Sequence, residues 1–129
     1  MIYHVVPLDD WLIAPDRPYA PPHLAEAGFV HCAPDEATSL AVADTAYRGA
    51  PGPLMVLMID EHALDARISW EAADGAEGAE GAEGAPPPGI PAETLFPHVY
   101  GRINRTAVVG MLEVRRDARG RAVELGVWS

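Results

Sequence analysis

The sequence predicts an α+β fold with an antiparallel β-core of five to seven strands and two or three short helices. Apolar residues make up 49% of the 129 residues, enough for one substantial core. The β-rich segments do not alternate with helices at the regular interval of a βαβ fold. The last two β-rich segments flank a short turn around Gly120, which is typical of an antiparallel hairpin.

The first half of the chain mixes short strands with short helices. The predicted elements are, in order, a strand over 2–7, a helix over 8–14, a helix over 22–27, a strand over 29–32 and a helix over 34–48. Pro7 closes the first strand, Gly28 ends the second helix, and Pro34 opens the third helix at its first turn. The predicted buried face of that third helix carries Ala37, Leu40, Ala41 and Tyr47.

The second half of the chain is mainly β-structure. The run LMVLMI over 54–59 is continuous and apolar, which predicts a central strand. Alternation over 67–71 predicts another strand, with Ile68 and Trp70 on one side. Pro97 argues against a central strand over 95–103. Strands are also predicted over 107–115 and 122–127.

A Gly-Ala-Glu triplet repeat followed by three prolines occupies residues 72–92. The segment has too few large apolar side chains to offset the entropy of ordering it. We therefore predict a flexible loop inserted into a single domain that spans 1–129. Two interpretations stay open, namely a tolerated repeat expansion or a mobile lid over a site.

The charge balance excludes several classes of partner. The formal net charge is −10, and the nine basic residues are all arginine. A chain this acidic has no basic patch that would hold DNA or an anionic membrane. A small anionic ligand held by one or two arginines stays compatible with it. A single cysteine and an N-terminus without signal-peptide character predict a cytoplasmic protein without disulfides.

Three histidines lie within apolar segments, and buried imidazoles need partners for their nitrogens. His4 lies in the first strand, His31 in GFVHCA and His98 in LFPHVYG. Strand alternation places His4 with Ile2 and Val6, and His31 with Phe29. We expect the three imidazoles to meet around one cleft.

Other residues have both a structural and a functional interpretation. Cys32 points away from His31 by alternation, so a small core residue is expected there. Trp11, Trp70 and Tyr100 suit either the core or the walls around a flat ligand ring. Glu71 is either a solvated carboxylate or an acid/base group.

Several motifs stand out together, namely IYHV at 2–5, Trp11, Tyr19, GFVHCA at 28–33, the strand over 54–59, WE at 70–71 and FPHVYG at 96–101. In this combination the sequence resembles DUF952, a small bacterial family of unknown function. The resemblance covers residues 1 to about 115, apart from the loop. At the level of fold, this family resembles the ADP-ribosyltransferase-like superfamily.

The resemblance implies an ADP-ribosylation-like fold, a split antiparallel β-core whose cleft holds NAD or a related nucleotide. His4 would bond a ribose hydroxyl, His31 matches the second motif, and His98 or Glu71 would take the third, usually acidic position. Ala33 stands where many relatives carry a small hydroxyl residue. The expected ligand-binding residues are Trp11, Tyr19, Phe29, Trp70, Tyr100 and Arg102, and no metal is expected.

The leading hypothesis is therefore a nucleotide-binding protein that uses NAD as a substrate for ADP-ribosyl transfer or glycohydrolysis. His4, His31, His98 and Glu71 are the predicted catalytic residues. One alternative is a metal-dependent hydrolase or oxygenase that uses the three histidines as ligands. Another is a non-catalytic ligand-binding module or a small-metabolite tailoring protein.

Overall fold

Seven strands and three helices form the fold in the computed structural model, which describes residues 1–22, 24–72, 89–91 and 93–127. The strands are β1 (Ile2–Pro7), β2 (Val30–His31), β3 (Leu54–Ile59), β4 (Arg67–Ala72), β5 (Leu95–Tyr100), β6 (Val108–Arg116) and β7 (Ala122–Val127). The helices are α1 (Leu8–Leu12), α2 (Leu24–Ala27) and α3 (Glu36–Thr45). The predicted α+β class is confirmed. Most of the predicted loop over 72–92 lies outside the described residues.

The strands form two antiparallel sheets. The four-stranded sheet has the order β1-β3-β6-β7 and the three-stranded sheet the order β2-β5-β4. An isolated bridge between Tyr3 and Ala33 links the start of the first sheet to the chain just after β2.

The main core lies between the inner faces of the two sheets. Ile2, Val6 and Leu57 from the larger sheet meet Val30 and Val99 from the smaller one, and all are fully buried. The β-branched and aliphatic side chains of these strands alternate inward, as their sequence periodicity predicts. Burial on two faces explains the continuous apolar run of β3.

The outer face of the larger sheet packs against α3. The helix begins after Asp35, whose carboxylate accepts a hydrogen bond from Thr38 N at 2.7 Å, and this cap fixes its start. The predicted face is only partly correct, since Thr38, Ser39 and Ala43 are the buried positions and, of the predicted four residues, only Tyr47 packs against this core. Small side chains let the helix approach the sheet closely. The Ser39 hydroxyl is satisfied by donating to Glu36 O at 2.8 Å.

Pro97 argues against a central strand over 95–103, but this expectation was wrong, because β5 is the middle strand of the smaller sheet. The Pro97 carbonyl faces the β2 side and accepts a hydrogen bond from Cys32 N at 3.1 Å. The bond that the proline ring removes is the reciprocal one, at a point where β2 has already ended. The sheet therefore accommodates the ring at little cost.

The end of β5 requires glycine. Gly101 has a φ of +152°, and a Cβ there would lie 3.0 Å from the Ala66 Cβ. Only glycine adopts this backbone conformation readily. The chain therefore turns sharply between Tyr100 and Arg102, a turn that ends the FPHVYG motif.

No helix in the described ranges is both long enough and apolar enough to cross a lipid bilayer.

Candidate functional site

A cluster of aromatic, imidazole and charged side chains occupies the outer face of the three-stranded sheet. We call it the outer-face cluster, and it consists of Phe29, His31, Arg67, Ser69, Glu71, His98 and Tyr100. Cross-strand register creates it, because His31 and Ser69 both lie opposite His98, and Arg67 lies opposite Tyr100. Directly paired residues on neighbouring strands share a face. Five residues that the sequence singled out therefore meet here.

The carboxylate of Glu71 is the polar centre of this cluster. It accepts a hydrogen bond from the Tyr100 hydroxyl at 2.6 Å, and its other oxygen lies 3.3 Å from His98 Nδ1. The side chain of Glu71 keeps 40% of its surface exposed, whereas that of His98 keeps 4%. Glu71 is thus held by its neighbours and still reachable from solvent.

These contacts favour the charged form of Glu71. The Tyr100 hydroxyl and then the Ser69 side chain hold the pKa of the Glu71 carboxyl below its usual value, and His98 adds to this effect. The same hydrogen bond raises the pKa of the Tyr100 hydroxyl. At neutral pH the cluster therefore presents an anionic carboxylate oxygen next to the Tyr100 hydroxyl.

Aromatic rings fix the geometry around this carboxylate. Phe29 stacks on His98, with ring centroids 4.1 Å apart and an interplanar angle of 18°. The rings of His31 and Tyr100 lie 4.7 and 5.4 Å from that of Phe29. The Arg67 guanidinium lies 4.4 Å from the centre of the Tyr100 ring, a cation–π distance. The His98 ring is therefore buried and held, while His31 is only half-buried.

His4 lies on the other side of the three-stranded sheet, in the interior. Only 2% of its surface is exposed, and its Nδ1 donates to the main-chain carbonyl of His31 at 2.7 Å. Its ring also lies 6.0 Å from that of Tyr19. The expected meeting of three imidazoles around one cleft is thus not observed, because alternation directs His4 into the core and His31 and His98 outward.

A second location gathers other residues that the sequence singled out. Tyr19 and Arg102 line a hollow of about 300 Å³ beside α1, to which Asp10 of that helix also contributes. Trp11 contacts Tyr19 edge to face, with ring centroids 5.6 Å apart. Of the predicted ligand-binding residues, Phe29 and Tyr100 therefore lie in the outer-face cluster, and Tyr19 and Arg102 line this hollow with Trp11 packed behind Tyr19.

Two remaining residues belong to neither place. Trp70 alternates away from Glu71 and is 43% exposed. Cys32 is buried in the main core, and burial raises the pKa of its thiol far above the ordinary value. The thiol is therefore protonated at neutral pH, which agrees with the core residue predicted by sequence.

The histidines do not make a metal site with one another. Within the described ranges, no group of three or more His, Cys, Asp or Glu side chains has an arrangement that would hold a metal ion. His31 and His98 have ring centroids 5.7 Å apart, but His4 is separated from them by the sheet. The three-histidine arrangement that the metal hypothesis requires is therefore absent from this part of the chain.

Two members of the outer-face cluster, Arg67 and Ser69, were not among the residues predicted from the sequence. Both precede Glu71 at intervals of two along β4, so alternation alone places all three on one face. That signal was available in the sequence. The arginines that line the hollow beside Arg102, namely Arg17 and Arg105, carry no comparable local signal because they lie far apart along the chain.

Comparison with known proteins agrees with the family resemblance that the sequence motifs indicated. The family model described as protein of unknown function (DUF952) matches residues 5–111. The chain belongs to the DUF952 family. No protein with a curated description matches this DUF952 chain.

Two solved structures are similar to this DUF952 protein. One is the X-ray crystal structure of protein CC0527 from Caulobacter crescentus, with 20% identity, a TM-score of 0.69 and coverage of 95% of this chain and 92% of that chain. The other is a double mutant of CC0527, with 19% identity and the same TM-score and coverage. At this identity, the likeness supports the fold.

Proposed function

We propose that this DUF952 protein binds a nucleotide-class small molecule derived from NAD, and that Glu71 in the outer-face cluster acts on its glycosidic bond. In this proposal the fold is ADP-ribosyltransferase-like, and the protein works in the cytoplasm on a small-molecule partner. The observation that carries the proposal is a half-exposed, ionised carboxylate that Tyr100 and His98 hold in place.

The chemistry suits such a carboxylate. When the bond between ribose C1′ and the nicotinamide nitrogen breaks, its electron pair goes to nicotinamide, which becomes neutral. Positive charge then develops on the ribose, and a fixed anion nearby stabilises it. Water or another nucleophile adds at C1′ and loses a proton. Glu71 would supply the anion, and the half-buried His31 imidazole would take that proton.

The fixed geometry of the cluster also supports the proposal. A carboxylate already bonded to a tyrosine hydroxyl does not have to reorganise as the charge develops. The guanidinium of Arg67, which lies above the Tyr100 ring, would contact a ligand phosphate or hydroxyl from the same face. The contacts with Tyr100 and His98 distinguish the Glu71 carboxylate from that of an ordinary surface glutamate.

The interior position of His4 changes one expectation. The resemblance implied that His4 forms a hydrogen bond with a ribose hydroxyl. In the structure its Nδ1 donates a hydrogen bond to the His31 carbonyl, and its side chain is buried in the core. In the proposal His4 therefore supports β2 from behind, and ribose contacts fall to His31 and Tyr100.

The test is nicotinamide release from NAD during long incubation with the protein. We expect release by the wild type and a loss of about tenfold or more in Glu71→Gln, because one fixed charge at the transition state is removed. Glu113→Gln is the matched control, since the Glu113 side chain is 41% exposed and also lies on a strand. Equal rates in all three proteins, or no release above background, would contradict the proposal.

A second candidate, a non-catalytic ligand-binding module, is favoured by the sealed position of His4. It predicts that calorimetry detects ADP-ribose binding while nicotinamide release stays at background. Binding with release supports the enzyme, and binding without release supports the module.

A further inference from the structure

The hollow beside α1 is lined by an unusual set of charges. Three of the chain's nine arginines, Arg17, Arg102 and Arg105, line it together with Tyr19 and the carboxylate of Asp10. The formal charge of this lining is +2, although the whole chain carries −10. A local positive charge in an acidic protein attracts a small anion.

Arg105 is fixed in place by its surroundings. Its Nε donates to the carbonyl of Arg17 at 2.6 Å, and its Nη2 donates to the carbonyl of Trp11 at 2.9 Å. The guanidinium also lies 4.0 Å from the centre of the Trp11 ring. These contacts hold one planar cation at the hollow before any ligand arrives, which lowers the entropy cost of binding.

The other two arginines have no charge partner in the described part of the chain. Of the other arginines, Arg48, Arg115 and Arg121 pair with carboxylates, whereas Arg67, Arg116 and Arg119 have no such partner among the described residues. No carboxylate of the described residues lies within ion-pair distance of Arg17 or Arg102. What distinguishes Arg17 and Arg102 is their position, because both line one hollow with Arg105 in a chain that has 19 acidic and 9 basic residues.

We propose that this hollow binds the phosphate group of a small phosphorylated molecule. A phosphate monoester carries a charge of about −1.5 to −2 at neutral pH, which matches the +2 of the lining. A monocarboxylate would leave one of these positive charges unneutralised. Guanidinium groups bind phosphate oxygens through paired hydrogen bonds. The apolar side chain of Ile13 at the rim, 78% exposed, would contact the organic part of the ligand.

This inference is independent of the proposed glycosidic chemistry, because it requires only a phosphate group. The test is an NMR titration of the full chain with inorganic phosphate, ribose 5-phosphate and neutral ribose. We expect saturable shifts at Tyr19 and at the Arg17 and Arg102 side chains with both phosphate compounds, and none with ribose. Tighter binding of ribose 5-phosphate than of inorganic phosphate would support the proposed contact between Ile13 and the organic part of the ligand.

The variant Arg17→Gln/Arg102→Gln is expected to weaken phosphate binding by about tenfold or more, because charge-assisted hydrogen bonds are lost. Both side chains belong to exposed residues, so the fold should be retained, and an unchanged Tm checks this. Arg119→Gln, in the exposed turn after β6, is the matched control and should bind like the wild type. Absence of saturable binding, or equal binding by the double variant, would overturn the proposal.

Discussion

At the scale of single residues, Glu71 owes its properties to Tyr100 and Ser69. The sequence predicted that Glu71 is either a solvated carboxylate or an acid/base group, and it predicted Tyr100 as a ring near a ligand. Their direct bond was beyond prediction, because 29 positions separate the two residues. Sequence periodicity predicts on which face of the sheet the Glu71 side chain lies. The register between β4 and β5 decides that the Tyr100 hydroxyl reaches it.

Removing the Tyr100 hydroxyl should raise the pKa of Glu71. Tyr100→Phe keeps the ring that contacts Phe29 and Arg67 but deletes the largest cause of the lowered pKa. NMR titration of the Glu71 carboxyl measures the effect. Ser69→Ala should give a smaller rise in the same direction. An unchanged Glu71 pKa in Tyr100→Phe would contradict the assigned network.

His4 is expected to contribute to stability, since it fills interior space and bonds a main-chain carbonyl. His4→Ala should lower the free energy of unfolding by about 2–4 kcal/mol, through the cavity and the lost hydrogen bond. Urea unfolding measures the loss. A change below about 0.5 kcal/mol, the level of an ordinary surface substitution, would show that the interior position is wrong.

At the scale of elements, local patterns predicted the strands well. The bounds 2–7, 54–59 and 122–127 agree with the structure; Pro7 closes the first run, Pro53 and Asp60 flank the second, and Arg121 precedes the third. The failures concern long-range context. The role of Pro97 depends on where β2 ends, and the buried face of α3 depends on how closely that helix approaches the sheet.

Asp44 ties α3 to the start of β7, and its loss should destabilise the protein. Its carboxylate accepts from Arg121 Nη2 at 2.9 Å and from Ala122 N at 3.0 Å. These bonds, with Arg121 as the largest cause, hold the pKa of Asp44 below its usual value. Asp44→Asn should lower the free energy of unfolding by about 1–3 kcal/mol at neutral pH.

The pH dependence of this loss has a definite sign. A carboxyl whose pKa is lowered by folding stabilises the protein above its unfolded pKa of about 3.9, and this contribution disappears as the pH falls through the folded pKa. The difference between wild type and Asp44→Asn in urea unfolding should therefore shrink on acidification. Asp16→Asn, at an exposed loop position, is the control and should show no such difference. A pH-independent gap would contradict the ion-pair explanation.

Gly101 should resist substitution because of its backbone conformation. Gly101→Ala places a Cβ in contact with Ala66 at a φ that L-residues rarely adopt, a strain of about 1–3 kcal/mol. Thermal unfolding should show a lower Tm, whereas Gly120→Asn in the hairpin turn should be tolerated better, since asparagine accepts a left-handed conformation. An unchanged Tm for Gly101→Ala would contradict the close approach.

At the scale of the whole molecule, the two sheets divide the predicted site residues into separate groups. Phe29, His31, Glu71, His98 and Tyr100 lie on the outer face of the smaller sheet, and Tyr19 and Arg102 line the hollow. The sequence predicted which residues share a face of each strand. The sequence did not predict which faces of the two sheets pack against each other. That packing makes His4 an interior residue.

We propose that ligands bind at the outer face of the three-stranded sheet, and imidazole NMR during ADP-ribose titration tests this proposal most directly. Histidine side-chain ¹H–¹⁵N spectra follow each ring separately. We expect saturable shifts at the half-buried His31, smaller shifts at His98 and essentially none at the interior His4. Shifts at His4 alone, or no shift at any of the three imidazoles, would contradict it.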